Sequence, residues 1–157
     1  MKFARGFTLV ELMITVAIVG VLVSMAVPVR EMLVQRTKEH ELRLALREIR
    51  SAIDAYKRAV DEGKIKVDVG ESGYPRTLDV LAGGVENQAS PDHKKIYFLR
   101  SLPRDPMQSD QSLPAALTWG KRSYASSHEE PREEGDVFDV YSLVPGRGIN
   151  GIAYKEW

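Results

Sequence analysis

Residues 7–29 read FTLVELMITVAIVGVLVSMAVPV, an almost unbroken apolar run with one acid, Glu11, near its start. About 20 consecutive apolar residues span the hydrocarbon core of a bilayer, so the stretch predicts a membrane-spanning helix. A carboxylate near the bilayer centre costs ~2.5–3.5 kcal/mol on insertion scales, so Glu11 needs a reason and a partner. Lys2 and Arg5 precede the run, and the basic leader stops at Gly6. Positive charge favours the cytoplasmic side, which keeps the leader inside and sends the C-terminal bulk across.

Gly20 and Pro28 fall within the run. Proline removes an amide donor and clashes with the preceding turn, so a kink is expected at Pro28. From Arg30 the pattern changes without a break. Leu42, Ala45, Leu46, Ile49, Ala52, Ile53, Tyr56 and Val60 recur at three- and four-residue steps, the stripe of an amphipathic helix that packs on a core. Arg43, Arg47, Arg50, Asp54, Lys57, Arg58 and Asp61 occupy the other face. Glu39 with Arg43, and Asp54 with Arg58, have the favourable i,i+4 order. Gly63 supplies a C-terminal stop. One helix over 7–62 is therefore predicted, half of it apolar all round and half amphipathic.

The 157 residues leave room for one modest domain besides this helix. Formal charge is zero, from 22 basic and 22 acidic residues, and no clustered basic face argues for nucleic-acid binding. There is no cysteine. An exported domain without disulfides must be held by its core or by neighbours.

Beyond Gly63 the chain is mostly connector. The stretch Tyr74-Pro75-Arg76-Thr77-Leu78-Asp79-Val80-Leu81 predicts a short helix with Pro75 near its first turn, ended by Gly83-Gly84. Residues 84–94 read as a polar surface loop. Ile96-Tyr97-Phe98-Leu99 should dock on the core, and Leu102-Pro103-Arg104-Asp105-Pro106 forces a rigid, extended turn. Residues 118–126 and 137–144 read as strands. On the second, Val137, Asp139, Tyr141 and Leu143 are expected on one face, with Phe138, Val140 and Ser142 on the other. Between the strands, 127–136 is a charged hairpin loop holding Glu129, Glu130, Glu133 and Glu134.

The run Gly6-Phe7-Thr8-Leu9-Val10-Glu11 resembles the processing site of the type IV pilin family. The resemblance implies that a prepilin peptidase cuts between Gly6 and Phe7 and methylates the new Phe7 terminus. It also implies that Glu11 is the acid the family carries at this spacing, and that the helix loosens between Gly20 and Pro28 in a filament; paired with the Phe7 amine of a neighbouring copy, Glu11 is expected to serve filament assembly. Tyr-Pro-x-Thr-Leu at 74–78, the Leu102–Pro106 turn and Phe138-Asp139-Val140-Tyr141-Ser142-Leu143 are similar to the major pseudopilin of type II secretion, so the likeness extends along the chain. The fold implied is α+β, a long N-terminal helix packed on a small antiparallel sheet. The organisation is then leader 1–6, membrane and filament-core helix 7–29, and periplasmic domain 30–157. That domain divides into helix 30–62, connector 63–117, and sheet with tail 118–157. The implied partners are further copies in a helical filament, other pseudopilins, the prepilin peptidase, an inner-membrane assembly platform and the membrane itself.

Two other readings compete. One is a minor pilin or pseudopilin that initiates or caps such a filament. The other is a secreted ligand-binding domain whose signal peptide has Leu12 to Val23 as its apolar core and Ser24-Met25-Ala26 as its cleavage site. That second reading leaves Glu11 unexplained.

The family's major pseudopilin binds calcium in an aspartate-rich loop after this last strand. Here residues 144–157 carry no Asp, and Glu156 is the one acid. Calcium wants six to eight oxygens, several from carboxylates, so no cofactor or metal is expected. Other signals carry no chemistry either. Gly146 to Gly151 match G-x-G-x-x-G, but too little chain follows for the helix and acid that a dinucleotide site needs. His40, His93 and His128 lack metal-site spacing, and the glutamates of 127–136 read as a solvated face. With no nucleophile–base pairing, no enzymatic activity is expected.

Overall fold

A computed structural model describes residues 7–92 and 94–157, with the side chains of 25–29 left outside the description. Gly6, where processing is expected, and the histidine His93 lie outside the described residues. The chain divides into two compact units, Met1–Thr37 and Lys38–Trp157.

Helix α1 (Leu9–Asp61) runs through both units. In the first it is everything described after Thr8, and the helix continues past Gly20 and Pro28. The Pro28 side chain is outside the described residues, and with it the expected kink. In the second unit the 3.6-residue stripe is realised as read, with Leu42, Leu46, Ile49 and Ile53 essentially sealed from solvent. Ala59 joins them, while Val60 is only half-buried. α1 stops at Gly63. Its amide donates to the Val60 carbonyl and the Lys64 amide to that of Ala59, each at 2.9 Å, which closes the last turn with Gly63 at φ +70°. Only glycine takes that conformation at no steric cost.

The predicted helix at 74–81 is shorter and begins later, as α2 (Asp79–Gly83). Pro75 is not in its first turn. The Pro75 carbonyl instead accepts the Val137 amide at 2.8 Å, which holds 74–78 against the approach to the last strand. The expected polar loop at 84–94 contains a further element, for β1 (Val85–Glu86) pairs antiparallel with β2 (Lys95–Ile96). Leu99 docks in the core as expected, and Phe98 packs beside it with Tyr56 at 5.4 Å. Tyr97 remains exposed.

The strands read at 118–126 and 137–144 form over fewer residues. β3 (Trp119–Arg122) pairs antiparallel with β4 (Asp139–Ser142), Trp119 opposite Ser142 and Arg122 opposite Asp139. Val140 and Ser142 share the buried face, as alternation requires. Val137 does not follow the alternation. It precedes β4, tied to Pro75 by its amide, and is buried with Val140 rather than opposite to it. The core thus joins the α1 stripe, Leu78, Leu81, Leu99, Trp119, Val137, Val140 and Tyr154. The expected α+β architecture, with a long first helix and small antiparallel sheets, is the architecture observed.

One buried acid pins the Pro-x-Asp-Pro turn. Asp105 is 2% exposed. Its carboxylate accepts the Ser142 hydroxyl from β4 and, at 2.8 Å, the Met107 amide. Its own amide donates to Thr118 Oγ1 at 3.1 Å, and the indole N–H of Trp119 reaches the Pro103 carbonyl at 2.8 Å.

Candidate functional site

The N-terminal segment is built from its cap outward. Thr8 precedes the first helical residue, and its hydroxyl accepts the Glu11 amide at 3.2 Å. Glu11 Oε2 returns the contact, accepting from the Thr8 amide and hydroxyl at 3.4 Å each. This is a capping box, with Thr8 and Glu11 each satisfying the other's orphan donor. Thr8 is a site residue missing from the sequence-based expectations, although T-x-x-E before an apolar run is a capping signal. At 3.4 Å the contacts to Glu11 are at the long, weak end of hydrogen bonding. Phe7, Thr8 and Glu11 are all exposed. A carboxylate so placed remains able to take a stronger, charged partner.

From Leu9 to Val23 every large apolar side chain stands exposed around the helix. The hydroxyls of Thr15, within this stretch, and of Ser24, just after it, need no water. Thr15 donates to the Leu12 carbonyl at 2.8 Å and Ser24 to that of Val21 at 2.7 Å. Polar side chains satisfied within their own helix suit an environment without hydrogen-bonding solvent. Among the described residues no helix is long and apolar enough to cross a membrane, and the expected span at 7–29 includes 25–29, whose side chains are not described. Gly20 has open space around the position of a Cβ, so nothing in the isolated chain requires a glycine there.

The tail after β4 is a closed loop. Arg147 bridges Ala153, the Gly148 amide donates to the Ile152 carbonyl at 2.8 Å, and the Tyr154 amide to that of Gly146 at 3.2 Å. The G-x-G-x-x-G match is therefore a turn, followed by a single 3-10 turn (Tyr154–Glu156). A Cβ on Gly148 would collide with the Trp157 ring, so that glycine serves the packing of the tail. As a calcium site the loop fits poorly. Asn150 Oδ1 accepts the Ile152 amide at 3.1 Å, and Arg147 Nη1 occupies the Gly151 carbonyl at 3.0 Å.

One carboxylate does reach the loop, from an unexpected place. Glu39, read from the sequence as half of a surface pair with Arg43, is only 4% exposed. Its Oε1 accepts the Ile149 amide at 2.9 Å and the Tyr154 hydroxyl at 3.2 Å. Arg43 lies instead over the Trp157 ring, 4.1 Å from its centroid. Asp54 and Arg58 also differ from expectation, for Arg58 Nε donates to the Asp54 backbone carbonyl at 3.3 Å. Arg50 ties the tail to the sheet, donating to Asp139 Oδ1 and the Trp157 carbonyl at 2.7 Å each and to the Val140 carbonyl at 3.1 Å.

The acidic loop at 127–136 is partly neutralised by its neighbours, with Lys121 on Glu133 at 2.7 Å and Arg132 on Glu130 at 3.2 Å. Asp136 is held apart from it. It accepts the Ser72 hydroxyl and, at 2.9 Å, the Tyr124 amide. Burial pushes its carboxyl up, but the hydrogen bonds from Ser72, Tyr124 and Ser123 outweigh this and leave it below the ordinary 3.8. His40 and His128 are both exposed. Among the described residues no group of three or more His, Cys, Asp or Glu could hold a metal ion.

Residues 1–27 match the family model described as the prokaryotic N-terminal methylation motif. The match covers the basic leader, Gly6, Phe7, Glu11 and most of the apolar run, and it supports a type IV pilin-like chain processed by prepilin peptidase. No curated protein matches the chain, and no solved structure does.

Proposed function

We propose that this chain is a non-enzymatic filament subunit of the pseudopilus of type II secretion, anchored in the inner membrane with residues 30–157 in the periplasm. Prepilin peptidase removes residues 1–6 and methylates Phe7. Copies then leave the bilayer and stack by their apolar helices, with other pseudopilins and an inner-membrane platform as partners, and the growing filament drives protein export. The observation that carries the reading is the weakly held Glu11, set one helical turn after Phe7 at the head of a helix apolar on all sides.

The energetics explain why both features are needed. Fully burying a large apolar side chain is worth about 1.5–3 kcal/mol relative to water, so the 9–23 surface cannot stay in water. Lipid tails solvate Leu and Val about as well as another helix does, so apolar contact alone sets no register. Cleavage leaves a charged amine at Phe7, and amine and carboxylate are both costly in lipid. In an axially offset stack the amine of one subunit reaches Glu11 of its neighbour, whose own cap contacts at 3.4 Å are weak enough to exchange. The major-pseudopilin assignment rests on the Leu102–Pro106 turn and on the sequence of β4.

The assembly step is tested by crosslinking membranes that carry Glu11→Ala. The chain is expected to fold and be cleaved as before while the ladder of crosslinked multimers disappears. A normal ladder would leave Glu11 as a helix cap alone, with a dipole and capping contribution of ~0.3–1 kcal/mol.

A further inference from the structure

The loop after β4 is where the resemblance places calcium, and in this chain it offers no carboxylate of its own but Glu156, while Asn150 Oδ1 and the Gly151 carbonyl already accept hydrogen bonds. We infer that the Glu39 carboxylate stands in for the cation: it seats the 144–157 tail on α1, and the tail folds without metal.

Glu39 belongs to the same helical stripe as Leu42, Leu46 and Ile49, so α1 aims its carboxylate into the core rather than at solvent. There it meets two donors of the tail, the Ile149 amide and the Tyr154 hydroxyl. Hydrogen bonds to an ionised acceptor are roughly twice as strong as neutral ones, and one charged oxygen receiving both closes the loop at two points. A calcium loop gathers oxygens inward around a positive ion. This loop does the reverse, directing an amide and a hydroxyl outward to a negative group on the helix. One of its charged side chains, Arg147, is a cation already lying on the Gly151 carbonyl, where a second cation would be repelled. The tail is then completed by Arg50 on the Trp157 carbonyl and by the Trp157 ring, set between Tyr154 at 5.3 Å and the Arg43 guanidinium. The inference does not depend on filament assembly.

Hydrogen exchange read by mass spectrometry on the full chain in detergent micelles tests it. Wild-type amides of 146–154 are expected to exchange at the same rate in millimolar calcium and in chelator. Tyr154→Phe keeps the ring against Trp157 and removes one bond to Glu39, and should speed exchange of the tail by roughly two- to tenfold. Glu39→Ala removes the acceptor of both bonds and should speed it by at least about tenfold, with β3 and β4 within about twofold of wild type. Calcium that slows wild-type tail exchange would overturn the inference. So would Tyr154→Phe and Glu39→Ala tails that exchange at the wild-type rate. Should Glu39→Ala not fold, the calcium comparison and Tyr154→Phe decide between them.

Discussion

Asp105→Ala probes the buried acid that joins the Pro-x-Asp-Pro turn to β4. Asp105 and Ser142 are 2% and 1% exposed, so removing the carboxylate leaves the Ser142 hydroxyl and the Met107 amide without their acceptor, and little water can reach the hydroxyl. Each stranded donor costs about 1–3 kcal/mol when buried. The Met107 amide is nearer the surface and belongs at the low end of that range, so the total is about 3 kcal/mol. For a unit of this size each kcal/mol shifts the melting temperature by roughly 3–5 °C, giving a drop of about 10 °C. Asp105→Asn keeps an oxygen for Met107, and its amide can donate to the Ser142 hydroxyl, so it should lose less than half as much. Thermal unfolding of the full chain in micelles, followed by circular dichroism, measures both variants. Trp119 fluorescence adds a local reading, because its indole is bonded to Pro103 in the same turn. An Asp105→Ala chain melting within about 2 °C of wild type would refute the idea that this acid fixes the turn on β4.

Other perturbations separate processing from folding. Gly6→Leu should block maturation, since the peptidase is expected to need a residue without a side chain before the cut, and an immunoblot would then show only the precursor; normal conversion would argue against the site. Asp136 titrates below its ordinary 3.8 in the folded chain, so its contribution is fully present above that value and is lost as pH falls through the lower folded one. Asp136→Asn should therefore reduce stability at pH 7 and flatten its fall below about pH 4; equal slopes in wild type and variant would rule out this linkage. Arg50→Ala should release the tail from Asp139, Val140 and Trp157 together and cost about 1.5–3 kcal/mol in denaturant unfolding, since each is a hydrogen bond from a charged donor that is part-exposed. An unchanged midpoint would assign the tail's anchorage elsewhere.

The parts of the fold visible in the sequence were those set by periodicity. The 42–56 stripe of α1, the Gly63 stop and the β3–β4 pair follow from spacing that a single segment carries. What stayed hidden depends on partners far along the chain. Glu39 looks like a surface acid because Arg43 follows at i,i+4, yet it holds two donors that lie 110 and 115 residues away. Pro75 looks like a helix start, but its carbonyl is taken by Val137, which delays α2 and also turns Val137 into the core against the alternation of β4. At the candidate site, Glu11 was legible from its spacing to Gly6. Thr8 carries an equally plain capping signal in T-x-x-E, and Glu11 combines that local role with the one implied by its spacing to Gly6.

The central claim is that the helix headed by Phe7 survives maturation and carries the processed terminus. Intact-mass and terminal-peptide mass spectrometry of the protein purified from membranes tests this most directly. The account predicts a mature chain that begins at N-methylated Phe7 and retains the whole apolar run. A chain beginning at Met1, or one cut after Ala26 with the run removed, would contradict it.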